Sequence, residues 1–149
     1  MTSLVTAVTH SQLIGISGRA IASARGHHFV VDSPLTLGGP NEEINPIDIL
    51  LSALSTCATF LCESAASEAN IPLNSVSVDV AGDFDPRGIC GEPVESGIQA
   101  LRVRLGLSGP TEEQAQFLAD AFRQRCPVYG TLSKAVPINV EVILQHKTI

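Results

Sequence analysis

The sequence predicts an α+β fold, and three observations carry that prediction. Short β-rich segments fill the first 35 residues, and a long apolar stretch from Pro46 to about Ala69 reads as one helix. After it come alternating Val/Leu segments, with a second, amphipathic helix before the last of them. The order is strands, long helix, two strands, helix, strand, without the regular alternation of a parallel βαβ series and without an internal repeat. At 149 residues the chain is expected to form one domain, 1–149, large enough for a real core.

Taken in order, "LVTAV", "QLIGISG", "RAIASA" and "HHFVVDS" are candidate strands within residues 1–35, parted by Gly or polar turns. "PLTLGGPNEEINP" is a Pro/Gly-rich loop that ends in a helix start. Asn45 suits the N-cap, Pro46 suits the first helical position, and Asp48 favours the helix dipole in the first turn. The helix is expected over about 46–69, ended by "NIP". Apolar residues surround its first half, among them Ile49, Leu50, Leu54 and Phe60, which predicts burial on several sides.

"SVSVDVAGDF" and "IQALRVRLGLSG" alternate apolar and polar residues and are expected to pair antiparallel within about 75–108. The Gly/Pro loop between them holds Cys90. "PTEEQAQFLADAFRQRC" predicts an amphipathic helix over about 111–126, with Thr111 and Gln114 as a capping box. Pro127 stops it. A final strand is expected at about 136–145, with Ile138, Val140, Val142 and Leu144 on one face.

Composition narrows the function. Hydrophobic residues make up 44% and charged residues 16%, which excludes a disordered chain. Aromatics are 4% with no Trp, so the core must be Val, Leu, Ile and Ala. A mean hydropathy of +0.25 implies that some apolar surface enters a subunit interface. The formal charge is −6 and the nine Lys and Arg residues are scattered, so no nucleic-acid-binding face is expected. The opening "MTSLVTAVTHSQ" is unlike a signal peptide, having no basic residue and no apolar run. The longest apolar run, Ile47 to Cys62, carries Asp48 and several hydroxyls and is short for a bilayer span. The expectation is a cytoplasmic protein with no membrane contact.

Four cysteines in that compartment leave three roles: core thiols, metal ligands or redox thiols. Redox work needs a thiolate, access for an oxidant and a partner that resolves the sulfenic acid. Cys57 lies about three turns into an apolar helix, which favours the protonated thiol. Cys126 falls at a helix C-terminus, whose partial negative charge handicaps an attacking thiolate more than a resolving one. If the two cooperate, Cys57 attacks and Cys126 resolves. Cys57 and Cys62 are five residues apart on different helix faces, there is no C-x-x-C pair, and adjacent His27 and His28 point oppositely in a strand. No metal site is therefore expected, and Cys62 and Cys90 read as incidental thiols.

The segments "DSPLTLGGPNEEINP", "IDILLSALSTC", "DVAGDFDPRG" and "RCPVYGTLSKAVPINVEV" together resemble the OsmC/Ohr family of osmotically inducible and organic hydroperoxide resistance proteins. The resemblance runs from about residue 18 to 143. Its most specific parts are N-P-x-x-[IL]-L-x-x-A-x-x-x-C at 45–57 and C-P-[VI] at 126–128. It implies an intertwined homodimer with two long central helices wrapped by antiparallel sheets. It also implies a thiol peroxidase without metal, haem, flavin or other cofactor. Cys57 would be the peroxidatic thiolate and Cys126 the resolving thiol. The substrate would be an organic hydroperoxide, and the disulfide would be reduced by a dithiol such as dihydrolipoamide.

Two features depart from the family pattern. The peroxidases place a Glu ten residues before the first cysteine, where it holds an Arg over the thiolate; that position is Ile47 here. Asp48 is rotated about 100° round the helix, and Glu43 lies in the preceding loop. Two arginines are candidates for the cationic role, Arg19 in "SGRAI" and Arg25 in "SARGHH". The missing Glu sustains an alternative: a protein of this fold with little or no peroxidase activity that binds an apolar small molecule beside Cys57.

Overall fold

A computed structural model describes residues 3–146. The outermost positions of the expected 1–149 span lie outside the described residues. The chain forms two compact units, one ending at Ile49 and the other starting at Leu50. Helices and two three-stranded sheets make the fold α+β, as expected.

The first unit is a meander of β1 (His10–Leu13), β2 (Arg19–Ala24) and β3 (His27–Asp32), paired antiparallel in that order. Arg25 and Gly26 join β2 to β3 with φ of 51° and 81°. Two left-handed residues form the tight hairpin turn that matches strand twist. Counting outward from that turn sets the register, so that Arg19 opposes Asp32. "LVTAV" is not a strand: residues 3–9 are irregular, and Leu4 and Val5 are 89% and 93% exposed. Strand propensity without a pairing partner does not make a strand.

Helix α1 (Pro46–Glu68) starts at the expected place. The Asn45 side chain accepts the Asp48 N–H at 2.9 Å, and the Asp48 carboxylate accepts the Asn45 N–H at 3.1 Å. This reciprocal cap satisfies two donors that the first turn would otherwise orphan. At the other end Asn70 takes φ 53°, while the Ile71 N–H reaches the Ala66 carbonyl and the Asn70 N–H the Ser67 carbonyl. That is a Schellman stop. The helix is longer than the apolar run inside it, and by length and composition it could cross a membrane, contrary to expectation. All-round burial is not reached within the chain either. The stripe Leu54, Ala58, Cys62, Ala65 is buried, whereas Phe60 is 64% exposed.

The second unit contains β4 (Ser75–Asp83), β5 (Ala100–Ser108), α2 (Glu112–Arg125), α3 (Pro127–Leu132) and β6 (Ile138–Leu144). β4 and β5 pair antiparallel, as expected. β6 does not complete an antiparallel sheet: it pairs parallel to β5, with Leu101 opposite Ile138. Parallel neighbours need a long crossover, and α2 with α3 supplies it. The inner residues of β5, Leu101, Val103, Leu105 and Leu107, are at most 1% exposed. They form one core with the α1 stripe and with Ala115, Leu118, Ala119 and Phe122 of α2. Each such Leu or Phe contributes about 1.5–3 kcal/mol by leaving water. Thr111 and Gln114 make the expected capping box, at 3.2 and 2.9 Å.

Candidate functional site

In the second unit, α1 presents Cys57 and the α2–α3 junction presents Cys126. Their Sγ atoms are 2.7 Å apart, across 69 residues of sequence. Both are free thiols, and a disulfide would bring them to about 2.05 Å. Cys126 is 3% exposed, and Cys57 is half-buried at the edge of the same core.

The junction itself differs from expectation. Pro127 ends α2 but also opens α3, so Cys126 is at once the C-cap of one helix and the N-cap of the next. Its sulfur accepts the Tyr129 N–H at 3.2 Å. The sulfur of Cys57 accepts the neighbouring Val128 N–H. Successive backbone donors thus address the two sulfurs separately. The Tyr129 ring meets Phe122 edge-on, centroids 5.1 Å apart, and ties α3 to the buried face of α2. Sequence reasoning missed these two donors. The signal was the proline after Cys126, which fits a helix start as well as a helix stop.

Burial pushes the Cys57 thiol up to about 11, and the hydrogen bond and charge of Cys126 push in the same direction; the Val128 N–H pulls against them. In the reduced, resting state Cys57 is therefore a thiol near neutral pH. Cys62, also expected to be incidental, is fully buried and likewise raised to about 11 by burial, with its Sγ 3.9 Å from the Leu118 carbonyl. Cys90 is exposed, in the β4–β5 loop. Two grooves, of about 550 Å³ beside Phe60 and Leu73 and about 460 Å³ beside Phe117 and Arg125, are lined by neither Cys57 nor Cys126.

The first unit holds the arginines. Arg19 donates Nε and Nη2 to the two oxygens of Asp32, at 2.7 and 2.9 Å, and Nη2 also to Glu42 at 2.8 Å. Asp32 is fully buried and also accepts the Glu42 and Glu43 N–H groups, both at 3.0 Å. Four donors hold its carboxyl well below the usual carboxylate range, led by the Arg19 side chain, and its carboxylate raises Arg19 in return. The carboxylates that clamp Arg19 are thus Asp32 and Glu42, not Glu43, which gives Asp32 its backbone N–H, or Asp48, which caps α1. Arg25 is exposed at the hairpin turn, outside this clamp.

A family model described as OsmC-like protein matches residues 39–141, over two thirds of the chain. The chain belongs to the OsmC-like family. The matched segment includes both Cys57 and Cys126 and begins after Arg19 and Arg25. No curated protein matches the sequence. Among solved structures, an OsmC-like protein from Mycoplasma pneumoniae is 21% identical, with a TM-score of 0.81 over 95% of this chain and 99% of that one. An organic hydroperoxide resistance protein from Elizabethkingia anophelis is 20% identical, with a TM-score of 0.74 over 97% and 100%. A Legionella pneumophila structure described as an organic hydroperoxide resistance protein OsmC is 17% identical, with a TM-score of 0.73 over 95% and 98%. At such identities the likeness establishes the OsmC fold.

Proposed function

We propose that this chain is a cytoplasmic, homodimeric, dithiol-dependent peroxidase for organic hydroperoxides. The 2.7 Å contact between Cys57 and Cys126 is the observation that carries the proposal. The Cys57 thiolate attacks the outer oxygen of ROOH, the O–O bond breaks, and ROH leaves after taking a proton. The resulting sulfenic acid is attacked by the Cys126 sulfur, which expels water and forms the disulfide. An external dithiol such as dihydrolipoamide returns both thiols and is itself oxidised to a disulfide.

Substrate preference follows from the surroundings of Cys57. Between Asp48 and Glu63 the helix carries no charged residue, and Leu54, Leu61 and Val128 help form the local apolar wall. Such a wall favours an alkyl or aryl hydroperoxide over hydrogen peroxide. Of the two arginine candidates, Arg19 has its guanidinium held in a fixed orientation by Asp32 and Glu42, whereas Arg25 is exposed at the hairpin turn.

The test is consumption of tert-butyl hydroperoxide with dithiothreitol as reductant. The wild-type chain turns over. Cys57→Ser loses more than a hundredfold, and Cys126→Ser, oxidised with one equivalent of hydroperoxide before any dithiothreitol is added, carries a sulfenic acid on Cys57 and no Cys57–Cys126 disulfide. Turnover that survives Cys57→Ser contradicts the proposal. An inert wild-type chain that binds an apolar probe equally well in both variants establishes the binding reading instead.

A further inference from the structure

We propose that the reducing thiol attacks the sulfur of Cys57, so that Cys126 departs as the thiolate in every reductive cycle. The inference rests on the dithiol reading above and fixes the order of events within its second half. In the first step a reductant thiolate forms a bond to Cys57 Sγ. The Cys57–Cys126 bond breaks, and its electron pair goes to Cys126. In the second step the other sulfur of the dithiol attacks the reductant's own sulfur in the mixed disulfide. Cys57 leaves as a thiolate and takes a proton from water. The two electrons come from the dithiol, which ends as a disulfide.

Access selects the sulfur. Exchange rates depend on which sulfur a nucleophile can reach and on how well the other one leaves. Cys126 is 3% exposed, enclosed at the α2–α3 junction beside fully buried Phe122. Cys57 is half-buried on α1, where Thr56 and Phe60 on the same helix are exposed. Approach to Cys126 would require opening the junction; approach to Cys57 does not.

Each sulfur has one backbone N–H, from Val128 for Cys57 and Tyr129 for Cys126, so these donors do not discriminate and access decides. The open side of Cys57 thus receives the peroxide in one half-cycle and the reductant in the other. The buried sulfur never meets either reagent.

The experiment uses the full chain oxidised with diamide, which forms the disulfide independently of any hydroperoxide. Brief reaction with 2-mercaptoethanol, an uncharged monothiol, is followed by acid quench, N-ethylmaleimide labelling and peptide mass spectrometry. The expected result is mercaptoethanol on Cys57 and maleimide on Cys126, at least tenfold over the reverse pattern. Mercaptoethanol on Cys126, or equal labelling of the two, overturns the inference. So does the absence of a Cys57–Cys126 disulfide after diamide. A chain inert to hydroperoxides whose diamide-made disulfide still opens at Cys57 would remove the peroxidase reading and leave the order of attack standing.

Discussion

Cys57 and Cys62 lie five residues apart on α1, and burial raises both thiols to about 11. Their surroundings differ in what else is there. Cys62 is sealed in the core, with its sulfur 3.9 Å from the Leu118 carbonyl. Cys57 is half-buried, receives a backbone N–H and touches a second sulfur. A raised pKa therefore does not separate the two thiols on this helix. The distinguishing features are access and a partner, and both come from where α1 meets the α2–α3 junction.

The sharpest way to break this comparison is to exchange the two positions' fates. Cys62→Ala should keep peroxide turnover within about twofold, against the more than hundredfold loss expected for Cys57→Ser. Equal losses, measured as kcat/KM for the hydroperoxide, would show that the partner sulfur is irrelevant. An effect at least as large is expected from pH. With the Cys57 thiol at about 11, only about one chain in 10⁴ carries the thiolate at pH 7. Its rate of oxidation should climb about tenfold per pH unit between 7 and 10. A plateau below pH 8, followed by stopped-flow with excess hydroperoxide, would mean that the working assembly lowers this pKa.

Stability offers the third contrast. Cys62→Ala removes a fully buried sulfur and should cost about 1 kcal/mol in urea unfolding. Cys57→Ala, at a partly open site, should cost less. A reversed order would place Cys57 deeper in the core than its exposure indicates.

Much of this was legible in the sequence. Local signals gave the Asn45–Pro46 start of α1, its stop at "NIP", and the Thr111–Gln114 box, because caps depend on residues within one turn. The pairing of Cys57 with Cys126 spans 69 residues and cannot be read from periodicity. It came through a family resemblance. The parallel placement of β6 was missed for the same reason: alternation reveals a strand, not its neighbour. The Arg19–Asp32 pair could have been found. Taking Arg25–Gly26 as a two-residue turn and counting outward brings these residues opposite each other. Glu42 was out of reach, since the loop geometry that delivers it has no pattern in sequence.

The ionic clamp gives the last and smallest test, and it behaves oppositely to the thiols. Burial holds Cys57 and Cys62 neutral, whereas hydrogen bonds hold Asp32 charged. Its carboxyl is depressed in the folded chain and titrates near 3.9 when unfolded. As pH falls below about 4 the unfolded state takes up protons first, so the stabilisation from Asp32 is lost progressively. Asp32→Asn should lower stability at pH 7 and flatten its decline between pH 5 and 3, measured as the urea midpoint. Parallel declines in both chains would show that Asp32 does not contribute to the acid sensitivity.

Peroxidase chemistry in this chain requires the two sulfurs to act as a pair. The direct measurement is mass spectrometry of the reduced chain after one equivalent of tert-butyl hydroperoxide. The expected result is rapid loss of two hydrogens, with the Cys57 and Cys126 peptides cross-linked and Cys62 and Cys90 still reduced. Thiols that stay reduced for minutes, or a cross-link that leaves out Cys57 or Cys126, would contradict it.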